Sequence, residues 1–142
     1  MGLRVYTGGT FDLFHVGHLN LLKRCHEIAG PKGQVIVSLN TDEFIEKYKG
    51  KKPLMSYEDR KAILESCRYV DYVMENYGAE DSKESIVLAQ LIDIVAIGSD
   101  WARKDYYKQM NFTQDWLDDQ GISLIYIPYT KGISSTFIKQ KI

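Results

Sequence analysis

The stretch Gly8-Gly9-Thr10-Phe11-Asp12-Leu13-Phe14-His15-Val16-Gly17-His18 decides how this chain folds and what its chemistry can be. It follows an apolar run at 3–7, which predicts a buried strand, and it leads into a helical pattern over 18–29. A strand that passes through a glycine turn into a helix start presents backbone N–H groups and the helix dipole to an anion. His15 and His18 are three residues apart, so both imidazoles share one helix face. The stretch therefore predicts a site for reaction at a nucleotide phosphate.

The two histidines also allow plainer interpretations. They could be polar caps at a helix start or a pair of metal ligands. Zinc needs a third and a fourth ligand, and the neighbouring sequence offers none. Gly17, between the histidines, allows the backbone to come close to a ligand.

Strands alternate with helices along the chain, which predicts a doubly wound parallel α/β sheet of the Rossmann type as a single domain over 1–142. The predicted strands are 3–7, 34–39, 71–74, 94–97 and 123–127. The predicted helices are 18–29, a short one beginning at Thr41, 56–67, 82–91, 113–119 and 134–141. In such sheets ligands bind at the carboxyl ends of the strands. The segments that follow strands, at 8–18, 40–52, 98–101 and 128–136, should gather on one rim.

Composition restricts the possible partners. The net charge is −1, which argues against a global basic field for nucleic acid or membranes. No apolar run approaches the roughly 20 residues that span a bilayer. The first strand begins so early that no signal peptide is expected. Cys25 and Cys67 lie far apart in helical patterns, as expected of reduced thiols. We expect a cytoplasmic protein.

The first motif resembles a known family. Gly9-Thr10-Phe11-Asp12 followed by His15-Val16-Gly17-His18 is similar to the HxGH signature of the nucleotidyltransferase superfamily. The distant segment Thr130-Lys131-Gly132-Ile133-Ser134-Ser135-Thr136 resembles the RTEGISTT signature of cytidylyltransferases. Segments at 41–44, 56–61, 68–71 and 98–101 also resemble the glycerol-3-phosphate cytidylyltransferases, which are the most similar members of that family. The resemblance covers nearly the whole chain.

The resemblance implies that a phosphate oxygen of a small acceptor attacks the α-phosphate of CTP and expels pyrophosphate. It implies catalytic roles for His15, His18, Thr10 and Lys51. The nucleotide-binding residues that it implies are Gly9, Thr10, Phe11, His15, Val16, Gly17, His18, Lys51, Asp100, Trp101, Tyr129, Thr130, Gly132, Ile133, Ser134, Ser135 and Thr136. The acceptor-binding residues would be Asp12, Lys49, Arg60, Arg68 and Lys83. No residue is assigned directly as a metal ligand, because Mg²⁺ would be carried by the triphosphate, with Asp12 as a candidate to assist.

Several of these residues have structural alternatives. The lysines at 47–52 also suit a solvated loop, and Lys83 suits an exposed helix position. Arg60 and Arg68 lie on one helix pattern and suit phosphate, but each could instead pair with Asp59, Glu65 or Asp71. Trp101 could be a core residue. The segment 132–136 could be a simple helix cap rather than a second anion cradle.

Two features depart from the family pattern. Tyr129 stands where the tail signature has an arginine, so Lys131 or Arg103 would have to supply that charge, or the acceptor differs in charge. The stretch 102–116 makes the chain about ten residues longer than the glycerol-phosphate enzymes before the last strand. It carries Tyr106, Tyr107, Phe112 and Trp116, which could cap the acceptor pocket or form a dimer surface.

The leading hypothesis is a CTP-dependent cytidylyltransferase that makes a CDP-linked metabolite for a cell-surface polymer, teichoic acid or capsule. Glycerol 3-phosphate is the best acceptor, with phosphoglutamine and phosphoethanolamine as alternatives. An adenylyltransferase and a non-catalytic nucleotide-binding subunit are the competing functions. The resemblance also implies a homodimer.

Overall fold

The computed structural model describes residues 2–77, 83–99, 111–128 and 130–141. The five strands are β1 Arg4–Gly9, β2 Gln34–Asn40, β3 Tyr72–Asn76, β4 Ile94–Gly98 and β5 Ser123–Ile127. The helices described are α1 Val16–Ala29, α2 Asp42–Lys49, α3 Tyr57–Glu65, α4 Lys83–Ala89, α5 Gln114–Gln120 and α6 Ser135–Lys141. No helix within these residues is both long and apolar enough to cross a membrane.

The strands form one parallel sheet in the order β3-β2-β1-β4-β5. β1 pairs with β2 on one side, where Val5 faces Val35, and with β4 on the other, where Val5 faces Ile94. The strand order therefore reverses at β1, and a crevice opens beyond the carboxyl end of that strand. The doubly wound parallel fold that the sequence predicts is confirmed.

Alternating residues of β1 enter two separate cores. Val5 belongs to a cluster with Leu22 and Cys25 of α1, whereas Tyr6 belongs to a cluster with Ile86 of α4 and Leu117 of α5. Both faces of the sheet are therefore covered by helices, which explains why the strands are apolar runs rather than alternating ones.

The first turn lies later than the glycines suggest. Gly8 and Gly9 continue β1, and the chain turns through Phe11 and Leu13, whose φ angles are 52° and 50°. Residues other than glycine rarely adopt this left-handed backbone region, so the turn is a strained segment. α1 begins at Val16, two residues before the predicted start, because His15 acts as the N-cap.

The C-terminal ends of α2 and α3 differ from the predicted ones. α2 continues through Lys47 and Lys49 and ends at Gly50, whose φ of 76° gives the left-handed helix cap. α3 ends at Glu65, so Arg68 lies beyond the helix and does not share a helix face with Arg60. The interpretation that Arg60 and Arg68 lie on one helix is therefore wrong.

Arg60 is buried inside the protein and holds the carboxyl edge of the sheet together. Its Nη1 donates to the carbonyl oxygens of Thr10 at 2.9 Å and Asn40 at 2.8 Å, which follow or end β1 and β2. Its Nε donates to the carbonyl of Met55 at 3.1 Å, and Nη2 pairs with Asp42 at 2.6 Å. The side chain is 0% exposed. The predicted acceptor-binding role of Arg60 is therefore corrected to a structural one, and its acidic partner is Asp42 rather than the acids considered from the sequence.

Arg60→Lys should lower the free energy of unfolding by about 2–4 kcal/mol, because an ammonium group cannot reach all four acceptors and leaves buried carbonyls unpaired. Urea unfolding measures this loss. Arg68→Lys is the matched control, since Arg68 is exposed, and it should stay within about 0.5 kcal/mol of the parent. An Arg60→Lys protein as stable as the parent would contradict this role.

Candidate active site

A cleft of about 320 Å³ opens at the carboxyl ends of β1, β4 and β5. Its predicted lining residues are Gly9, Thr10, Phe11, His15, Gly17, His18, Thr130, Ile133, Ser134 and Ser135. Three further lining residues, Gly8, Gly98 and Pro128, belong to the segments predicted to gather on this rim. Sequence reasoning missed Thr7, Leu21, Ile97 and Ile127. Thr7, Ile97 and Ile127 are the last residues of predicted strands, so a rim rule that includes strand ends would have found them. The first and last predicted segments do meet here.

The two histidine rings stack on each other at the start of α1. Their centroids are 3.8 Å apart, with 24° between the planes. The backbone N–H of Gly17 donates to Nδ1 of His15 at 3.0 Å, and the N–H of His15 donates to Nδ1 of His18 at 3.2 Å. The ring centroids of Phe11 and Phe14 lie 5.2 and 5.4 Å from the ring centroid of His18. The backbone of the helix start thus fixes both rings.

Both histidines are neutral at pH 7. Burial and, to a smaller extent, the neighbouring His15 together lower the pKa of His18 to about 4. Burial also lowers the pKa of His15. A neutral imidazole carries one N–H, and in each ring Nδ1 already accepts a hydrogen bond, so the proton is on Nε2. The site therefore holds two neutral Nε2–H donors.

Gly17 makes the ring arrangement possible. A Cβ atom at this position would lie 2.8 Å from Cε1 and 2.9 Å from Nδ1 of His15. The sequence suggested that Gly17 admits a ligand to the backbone. In the structure its missing side chain admits the His15 ring.

Thr10 is held by a chain of amide side chains across the ends of three strands. Nδ2 of Asn40 donates to Oγ1 of Thr10 at 3.1 Å, and Nδ2 of Asn76 donates to Oδ1 of Asn40 at 3.1 Å. Asn40 ends β2 and Asn76 ends β3, and both are buried. Sequence reasoning missed these amides, which lie just beyond the predicted strands 34–39 and 71–74. They position Thr10 at the cleft.

The C-terminal segment, residues 130–141, is fastened to the first turn and to α1. Nδ2 of Asn20 donates to Oγ1 of Thr130 at 3.1 Å, and the hydroxyl of Ser135 donates to the backbone carbonyl of Asp12. Ser135 was predicted to offer its hydroxyl to a phosphate. Its proton is instead used to hold the segment in place. Val16, Lys51, Gly132 and Thr136 lie outside the cleft lining.

Asp12 is a structural junction between three parts of the chain. Oδ2 accepts the N–H of Leu54 at 2.8 Å, Oδ1 accepts that of Met55 at 2.9 Å, and Lys139 lies 3.3 Å from Oδ2. Burial alone would raise the pKa of Asp12, but these two N–H groups and Lys139 bring it below its usual value. Both oxygens thus have protein partners, and the residue is 5% exposed. The predicted roles of Asp12 in acceptor binding and Mg²⁺ support stay predictions.

The remaining predicted cations lie away from the cleft lining. Lys49 and Lys51 are exposed, and Nζ of Lys49 is 5.6 Å from the ring centroid of Tyr48. Arg68 is exposed beside Tyr69, to whose hydroxyl its Nη2 is hydrogen-bonded at 3.0 Å. Nζ of Lys83 lies 6.0 Å from the ring centroid of Trp116. Their roles at the acceptor stay predictions.

Part of the predicted site lies outside the described residues. These positions are Asp100, Trp101, Tyr129 and residues 102–110 of the longer stretch, which include Arg103, Tyr106 and Tyr107. Of that stretch, Phe112 is buried, and its ring stacks on that of Trp116 with centroids 5.8 Å apart. These two rings are therefore part of the second core.

Comparison with known proteins identifies the family. A family model described as cytidylyltransferase-like matches residues 6–141. The chain belongs to the cytidylyltransferase-like family. It is 41% identical to the glycerol-3-phosphate cytidylyltransferase of Bacillus subtilis over 98% of this chain and 96% of the relative. It is also 41% identical to the enzyme of that name in Staphylococcus aureus, over 98% and 94%.

A solved structure supports the fold independently. The lipopolysaccharide core biosynthesis protein from Thermoplasma volcanium superposes with a TM-score of 0.68 at 22% identity. The match covers 94% of this chain and 100% of that one. The resemblance inferred from the two sequence motifs is confirmed at the level of the family.

Gly17→Ala should reduce kcat about 100-fold in the assay described below while leaving the melting temperature within a few degrees, because the added Cβ displaces the His15 ring and not the backbone core. Lys23→Ala, an exposed change on the same helix, is the control and should keep full activity. An active Gly17→Ala enzyme would show that the ring position does not matter.

The neutral state of His18 predicts a loss of stability in mild acid. Between about pH 6.5 and pH 4 the unfolded chain binds a proton at His18 that the folded protein excludes, so stability falls as pH falls through this window. In His18→Gln, the loss of unfolding free energy over this pH window should be smaller by about 2–3 kcal/mol. Urea unfolding at several pH values measures it, with His26→Gln, an exposed change, as the control. An unchanged slope in His18→Gln would contradict a neutral His18.

Proposed function

We propose that this protein transfers CMP from CTP to glycerol 3-phosphate, which releases pyrophosphate and yields CDP-glycerol. The observation that carries the proposal is the stacked pair of neutral Nε2–H donors, His15 and His18, in the cleft at the reversal point of the sheet. Family membership and the names of the two bacterial relatives support the choice of CTP and glycerol 3-phosphate.

The chemistry requires no protein nucleophile. A phosphate oxygen of the acceptor forms a bond to the α-phosphorus of CTP while the bond to the β-phosphate oxygen breaks, and pyrophosphate leaves with that electron pair. The protein has to align the two phosphates and stabilise the charge that develops on the α-phosphate oxygens. Neutral N–H donors suit this task, because they hold the developing charge without having to lose a proton.

We propose that CTP enters as its Mg²⁺ complex, with the ion carried by the triphosphate. Within the described residues no cluster of three or more His, Cys, Asp or Glu side chains is present to hold a metal. Both oxygens of Asp12 already have protein partners, so the proposal gives the metal ion to the triphosphate rather than to Asp12. The ion, when bound, would neutralise charge on the phosphates, and Lys51 would assist from the loop after α2.

The wider setting is also a proposal. The product would serve cell-surface polymer synthesis, and the protein would act in the cytoplasm as a homodimer. Exposed apolar side chains such as Tyr72 and Leu88 are available for a subunit contact. Gel filtration with light scattering tests the dimer.

The deciding experiment is a pyrophosphate-release assay with Mg²⁺ and CTP or ATP across a panel of acceptors: glycerol 3-phosphate, phosphoethanolamine and phosphoglutamine. We expect turnover with CTP and glycerol 3-phosphate, and none after chelation of Mg²⁺.

His18→Ala should lower kcat by about 100–1,000-fold while the protein stays folded, since it removes one positioned donor.

The other outcomes are equally informative. Faster release with ATP would identify an adenylyltransferase. Faster release with another acceptor would keep cytidylyl transfer and reject glycerol 3-phosphate. Binding of CTP without release for every acceptor would indicate a non-catalytic subunit.

A further inference from the structure

We propose that Lys139 is a positioning residue for this reaction, which acts through Asp12 to hold the C-terminal segment against the nucleotide. The proposal rests on the proposed function for its kinetic consequence and on contacts in the fold for its structural one. Lys139 belongs to α6, and its Nζ lies 3.3 Å from Oδ2 of Asp12.

Asp12 joins three parts of the chain that surround the cleft. It belongs to the turn after β1, which also carries Thr10 and Phe11. Its carboxylate accepts the N–H groups of Leu54 and Met55 from the basic loop, defined here as residues 50–55. The same carboxylate pairs with Lys139 of the C-terminal segment. One carboxylate therefore ties both the basic loop and the C-terminal segment to the turn that leads to His15.

Burial makes the ion pair necessary. Asp12 is 5% exposed, so its charge is largely removed from water and needs a compensating partner. The two backbone N–H groups supply part of that compensation, and the Lys139 ammonium ion is the full positive charge. The Lys139 side chain is 34% exposed, which makes the pair stronger than a fully solvated one.

The position of the C-terminal segment matters because four of its residues line the cleft. These residues are Thr130, Ile133, Ser134 and Ser135. α6 has seven residues, too few to be stable without tertiary contacts, so the contacts decide where it lies. Ile133 packs near Gly17, and Ser135 bonds to the carbonyl of Asp12, so a shift of α6 would also move groups next to His15.

This arrangement predicts unequal effects on the two substrates. Loss of Lys139 loosens the C-terminal segment, which Asn20 and Ser135 still hold, and leaves the bonds from Asp12 to Leu54 and Met55 in place. The KM for CTP should then rise more than the KM for the acceptor. Loss of the Asp12 charge weakens both connections, so Asp12→Asn should raise both KM values.

The test compares Lys139→Met with Lys139→Arg, which keeps the charge, and with Lys32→Met, an exposed lysine in the turn before β2. Hydrogen exchange of the amides at 130–141 reports the position of the segment without any substrate. Steady-state kinetics with CTP and glycerol 3-phosphate reports the substrate effects.

We expect faster exchange at 130–141 and about a 10-fold higher KM for CTP in Lys139→Met, with the acceptor KM within about twofold. Lys139→Arg should keep the parental exchange rate and the parental KM for CTP, and Lys32→Met should change neither quantity. Unchanged exchange in Lys139→Met overturns the proposal. Faster exchange with unchanged KM for CTP also overturns it, because Lys139 would then be merely structural.

Failure of the proposed function gives a different result. If the parent protein transfers CMP to no acceptor, the exchange comparison still decides whether Lys139 holds the segment, and the dissociation constant of CTP measured by calorimetry replaces KM. A parent protein that does not bind CTP, whatever the exchange result, overturns the proposed role of Lys139 toward this nucleotide.

Discussion

The hydrogen bonds from the backbone at the start of α1 to the His15 and His18 rings are the interaction on which the site depends. Each ring accepts a backbone N–H at Nδ1, which satisfies donors that a helix start leaves unpaired. The same bonds place the ring protons on Nε2 and bring the rings into a stack. Helix capping and the orientation of the two Nε2–H donors are therefore one structural event.

The strained turn before His15 needs support from the rest of the fold. Phe11 and Leu13 adopt left-handed backbone angles that cost energy unless neighbouring contacts enforce them. Arg60 bonds to the carbonyl of Thr10, and Asp12 is anchored by two backbone N–H groups from the basic loop. The anchored positions, Thr10 and Asp12, lie directly before and after Phe11, so buried charged groups outside the cleft lining hold the turn.

The sequence predicted the fold because the apolar runs and their alternation with helices depend on local pattern. It also predicted the histidine pair and the C-terminal segment, since both lie where strands end. It did not predict the structural partners of Arg60 and Asp12, because a buried charge with distant partners has the same local signature as a ligand-binding charge. Asn40 and Asn76 were missed for a related reason: their partners lie on neighbouring strands, at a sequence separation that no short motif records.

The charges of the cleft suggest how a triphosphate can be handled without a lining cation. Among the described residues that line it, all are neutral, including both histidines. Attraction for the phosphates then has to come from N–H and hydroxyl dipoles, from Mg²⁺ carried with the nucleotide, and from lysines outside the lining. In such a site an unpaired carboxylate beside the turn would repel the substrate. The ion pair between Asp12 and Lys139 removes that repulsion while it holds the C-terminal segment, so the same contact serves electrostatics and geometry.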